Sequence, residues 1–172
     1  MKKLFILFLC LILVSCSAKT VTPSSHKFIN HVPFPKSTTL LYKEKIDEGT
    51  IYLYKDKSGF HHAFSSNDLN IWFNSGNAEV RPKEGFDWTM NNDPKVPNVT
   101  FAGVITRDDI ISVIVKQKTM EKEAKIINTK QGIRVWFATF KFLEDADKGK
   151  PDPLKIEAYS REGKLVWKDG VY

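Results

Sequence analysis

Four short polar turns, each ending in glycine and each set between runs of β-branched and aromatic residues, constrain this chain more than anything else in it. They are DEG at 47–49, DKSG at 56–59, TKQG at 129–132 and SREG at 160–163. Glycine adopts positive φ without a Cβ clash, which a tight turn closing with a bulge requires, so each of these predicts a hairpin. The first joins TTLLYKEK to TIYLYKD, both rich in the residue types that suit a pleated, half-buried surface. The others pair 50–55 with 60–65, 124–129 with 133–142, and 155–160 with 164–168. A chain that reverses this often is committed to antiparallel β structure.

Two runs, IISVIV at 110–115 and IRVWFATF at 133–140, are apolar at odd and even positions alike. A strand with one wet face would alternate, so both are expected to be central strands buried on both faces. Helix signals are thin. KQKTMEKEAKI at 116–126 contains good helix formers but little apolar stripe, and residues 107–111 have room for one turn. The segment 74–98, with three prolines and two glycines, reads as a long surface loop or as the join between two half-sheets. The expectation is a mainly β, single-domain, antiparallel two-sheet sandwich-like fold. The alternative is an α+β arrangement with one short helix near 107–123. No internal repeat points to a solenoid or propeller.

The N-terminus carries a different message. Lys2 and Lys3 precede an apolar run, Leu4 to Val14, shorter than the roughly 20 residues a permanent membrane helix needs, as in a signal peptide. It ends in Leu13, Val14, Ser15 and Cys16. These residues resemble the lipobox of bacterial lipoproteins, in which the small residue admits the signal peptidase and the cysteine thiol takes the lipid. The resemblance covers the first 16 residues. It implies a signal peptide at 1–15, a lipidated N-terminus and tether at 16–36, and a β-rich domain at 37–172, placed on the extracytoplasmic face of a cell membrane. The remainder more loosely resembles exported proteins of low-GC Gram-positive bacteria, without a motif tied to an activity.

Cysteine usage agrees. The other cysteine, Cys10, lies inside the apolar run and leaves with it, so a mature chain starting at Cys16 has no disulfide and no free thiolate for catalysis or zinc. Residues 17 to about 36 read as a tether with an end-to-end distance of about 25 Å. Phe28, Ile29, Val32 and Phe34 are too apolar for a pure linker, however, and part of this segment is expected to pack as an edge strand.

The formal charge is +6, and removal of Lys2 and Lys3 leaves +4, carried mainly by lysine, with only four arginines in the chain. Beside an envelope this favours contact with anionic lipid or wall polymer, or it serves solubility alone. The expected partners are the membrane, through the N-terminal lipid, and an envelope protein or anionic wall polymer, not nucleic acid.

Catalytic signals are sparse. His61 and His62 are adjacent, and on a strand they point to opposite faces and cannot share a metal. His26 and His31 lie in the tether. Asp145, Asp147 and Asp152 only faintly resemble a calcium loop, and Lys148 and Lys150 intrude. Neither a G-x-S-x-G elbow nor a P-loop is present. No cofactor or metal is expected, and no catalytic residue is assigned. Aromatic residues make up 12% of the chain. Of the tryptophans, Trp136 and Trp167 are expected to fill the core, whereas Trp88 falls in the polar, proline-rich segment and is the candidate binding residue. Two functions of different class follow: a non-catalytic binding or interaction module for a protein or anionic envelope polymer, and a small hydrolase or metal-dependent enzyme whose site is assembled from distant residues.

Overall fold

The computed structural model describes residues 28–66, 72–91, 93–117, 120–141 and 153–170. They contain β1 (Thr39–Ile46), β2 (Gly49–Asp56), β3 (Gly59–Ser66), β4 (Trp72–Asn74), β5 (Phe86–Asn91), β6 (Asn98–Ile105), β7 (Ile110–Gln117), β8 (Met120–Glu123), β9 (Lys125–Asn128), β10 (Arg134–Lys141), β11 (Leu154–Ser160) and β12 (Leu165–Gly170). Every strand pairing is antiparallel. The strands form three four-stranded sheets, ordered β1-β2-β3-β4, β5-β6-β10-β9 and β12-β11-β7-β8. All four glycine-ended turns close hairpins, with Ile46 opposite Gly49 and Asp56 opposite Gly59 in the first two. Gly132 and Gly163 hold φ at 71° and 75°, the left-handed region where other residues are strained.

The fold is mainly β, antiparallel and sandwich-like, as the turns require, but with a third sheet beyond the two expected. Side-chain alternation along β6 and β10 shows why. Val99, Phe101 and Ile105 of β6, with Trp136, Ala138 and Phe140 of β10, face the third sheet and meet Ile110, Val113, Val115, Ile156 and Ala158. Their neighbours Ala102, Val104, Val135 and Phe137 face the first sheet and meet Leu41, Ile51, Leu53, Phe60 and Phe64. The second sheet is therefore the middle layer, with a core on each side.

IRVWFATF occupies this layer, as its doubly apolar pattern requires. IISVIV does not. It forms β7 of an outer sheet, with Val113 and Val115 buried but Ile111 46% exposed. The strand buried at all eight positions is β6, whose Asn98, Thr100 and Gly103 dilute its apolar signal. Strands β7 and β8 also stand where the α+β alternative placed a helix. Phe86 and Trp88 recur at strand spacing within the 74–98 segment, and β5 forms there.

The N-terminal apolar residues pack as a short helical turn and bends, not as an edge strand. Phe28 and Val32 are buried on the outer face of the first sheet with Tyr52, Tyr54 and Ala63. The Phe28 ring stacks on Tyr52 at 5.1 Å and meets Tyr54 edge-on at 5.3 Å. Residues 1–27, Cys16 among them, lie outside the described residues, as do Asp145, Asp147 and Asp152.

One side of the sandwich made by the second and third sheets is closed by the chain itself. β8 pairs with β7 in the third sheet and β9 with β10 in the second, and only Ala124 separates them. The Ala124 N–H donates to the Val113 carbonyl at 2.8 Å, which holds the crossing point. On the opposite side the edge strands β5 and β12 leave a seam bridged by side chains.

Candidate binding cleft at the open seam

The period of two along each edge strand sets what the seam presents. On β5, Phe86 and Trp88 share the face that looks at the third sheet, opposite Ile105 and Gly103 of β6. On β12, Trp167 and Asp169 pair with Ala158 and Ile156 of β11, whose side chains are core, so they look back at the second sheet. A bulge assists. Ala158 pairs with Trp167 and Tyr159 with Leu165, so Val166 is passed over, and a bulge leaves its backbone group unpaired. The Arg107 guanidinium donates to the stranded Val166 carbonyl at 3.1 Å while holding Asp109 at 2.5 Å.

Two hydrogen bonds latch the seam reciprocally. The Trp88 indole N–H crosses to the Asp169 carboxylate at 2.9 Å, and the Trp167 indole N–H crosses to Glu84 at 3.3 Å. The Trp167 ring lies 4.2 Å from that of Phe86, and Trp88 lies 6.2 Å from Phe101. Each indole is thus half-buried with its polar tip fixed. Between them opens a cleft of about 300 Å³, lined by Glu79, Pro82, Lys83, Glu84, Phe86, Asp87, Trp88, Trp167 and Asp169. Asp87 is occupied locally, accepting from the backbone N–H groups of Trp88 and Glu79. In a chain of net positive charge, this lining carries four carboxylates against one ammonium.

Trp88 therefore sits on an edge strand, not in a loop, and its partner in the cleft, Trp167, packs against the core as expected but is only half-buried, at the sheet edge. Trp136 is fully buried, as expected. Trp72 belongs to a different surface, where it stacks with the His31 ring at 5.0 Å. Trp167 could not be placed in the cleft from sequence, because the seam joins strands 81 positions apart.

His61 and His62 diverge as strand geometry demands. His61 stacks on Tyr54 on the outer face of the first sheet, and His62 is fully buried. His61 also belongs to a Ser-His-Asp cluster that the sequence did not reveal. Ser58 Oγ lies 2.9 Å and Asp56 Oδ1 3.2 Å from the same nitrogen, Nε2, while Nδ1 faces the Gly76 carbonyl at 3.1 Å. A catalytic relay needs the carboxylate and the hydroxyl on opposite nitrogens. Here the Ser58 hydroxyl and backbone N–H both donate to Asp56, at 2.6 and 2.8 Å, so the group ties down the β2–β3 turn. Burial pushes the Asp56 carboxyl up, but the bonds from Ser58 and His61 outweigh it and hold the pKa below its ordinary value. Among the described residues, no cluster of three or more His, Cys, Asp or Glu could hold a metal ion.

No family model, no curated protein and no solved structure matches the chain.

Proposed function

We propose that this chain is a membrane-anchored extracytoplasmic lipoprotein, lipidated on Cys16, whose β domain is a non-catalytic binding module that uses the cleft between Trp88 and Trp167. The observation that carries the binding half is the pair of indoles fixed across the open seam by Asp169 and Glu84. Two large amphipathic surfaces held with polar tips occupied lose little side-chain entropy when a ligand arrives. The anchor half rests on the match of Leu13 to Cys16 with a lipobox. An anionic wall polymer remains a partner for lysines elsewhere on the domain, but the carboxylates around Trp88 oppose it there.

The test combines both halves in the living envelope. Wild-type protein should label with a palmitate analogue and, after cross-linking, recover a partner that the Trp88→Ala/Trp167→Ala variant does not. Cys16→Ser should abolish the label. Labelling that survives Cys16→Ser refutes the anchor, and equal recovery by the double variant refutes the cleft.

A further inference from the structure

We infer that the group this cleft takes is an organic cation, an ammonium on an aliphatic stem such as a lysine side chain presents. The inference rests on the cleft being the binding site and adds the chemistry of what enters it. Its basis is charge complementarity within an aromatic cavity. The lining holds Glu79, Glu84, Asp87 and Asp169 against Lys83 alone, and the nearby Arg107 is turned to Asp109 and to the Val166 carbonyl.

The four carboxylates are not equivalent. Both oxygens of Asp87 accept backbone N–H groups, and those of Asp169 accept the Trp88 indole and the Gly170 N–H. Glu84 uses one oxygen on Trp167 at 3.3 Å. The exposed Glu79 carboxylate has no hydrogen-bond or ion-pair partner among the described residues. Glu79 is thus the group left to meet an incoming positive charge, and the second oxygen of Glu84 belongs to the same cleft. The indoles supply what a carboxylate alone does not. Their π faces attract a cation, and their edges accept its alkyl stem. A cleft of about 300 Å³ fits one side chain, not a folded surface. An anion would meet net negative charge at the same place.

The test uses the full-length protein purified in detergent, with Nα-acetyl-lysine amide as probe and Nα-acetyl-norleucine amide as its uncharged counterpart. Binding is read from the indole N–H resonances, which report Trp88 and Trp167 separately from Trp72 and Trp136. The lysine probe should shift Trp88 and Trp167 alone, with an affinity that falls as salt rises and falls about two- to fivefold in Glu79→Gln. A lysine-containing peptide run in parallel distinguishes a group on a chain, which should bind more tightly, from a free amine, which should bind equally. Equal shifts with the norleucine probe, tighter binding of inorganic phosphate, or no shift at millimolar probe overturn the cation. Trp88-dependent recovery of a partner alongside any of these results leaves the binding site standing and rejects only the chemistry.

Discussion

His62 is the residue whose burial has the clearest thermodynamic consequence. It lies on β3 between Phe60 and Phe64 in register, on the face turned to the middle sheet, fully buried, with neither ring nitrogen hydrogen-bonded. Burial, with a smaller contribution from neighbouring His61, pushes its pKa down to about 3. The unfolded chain, titrating near 6.5, binds the proton that the folded chain refuses, so folding is opposed as pH falls from about 6.5 toward 3. The slope approaches 1.4 kcal/mol per pH unit. Urea unfolding at pH 7, 5.5 and 4.5 should show this loss in wild type and a much flatter acid limb in His62→Leu. Parallel profiles would mean that His62 does not carry it. Sequence foretold that the two histidines would part, because strand geometry alone decides it. It did not tell which would face the middle sheet and which the outer face with Tyr54, since both are buried and only the sheet stacking decides the side.

At the scale of elements, the row Trp88–Gly103–Trp136 crosses β5, β6 and β10 and couples the cleft to the core. Gly103 is needed there for lack of a side chain. A Cβ built on it would run into the Asp87 carbonyl and stand 2.7 Å from Nε1 of Trp136. Gly103→Ala should therefore destabilise the domain by about 1–3 kcal/mol through overpacking and disturb Trp88 as it does so. Thermal unfolding together with the Trp88 indole resonance checks this, and a variant as stable as wild type with an unmoved resonance would contradict it. Hairpins were legible in the sequence because turn chemistry is local, and β10 was legible because both its faces are apolar. Strand β6 was not, since its polar residues and glycine conceal burial that comes from two sheets at once. Ile111 misled in the opposite direction, as an exposed apolar residue that extended the run along β7. Trp88 was recognised for its unusual neighbourhood, but the edge strand beneath it needed the β5–β6 pairing to be seen.

For the whole molecule, the arrangement is three stacked sheets with a helical turn at Phe28 covering the outer face of the first. One strand, passing from β8 to β9, shuts one side of the second sandwich and leaves β5 and β12 to form the cleft on the other. Side-chain latches hold this side, so aromatic surface lines an open cleft there and no hydrogen-bonded sheet has to part to expose it. If the chain is anchored at Cys16, only the eleven residues 17–27 separate the lipid from Phe28, a span of at most about 43 Å even fully extended, which would keep the domain close to the membrane. We propose that a partner meets this molecule at the seam. The most direct measurement places a photo-crosslinking amino acid at Lys83, on the rim of the cleft, or at Lys130, in the exposed β9–β10 turn, and illuminates cells expressing each. A discrete adduct from position 83, absent from position 130 and lost on adding Trp88→Ala, is the predicted result. Adducts of equal yield from both positions, or from position 130 alone, would contradict it.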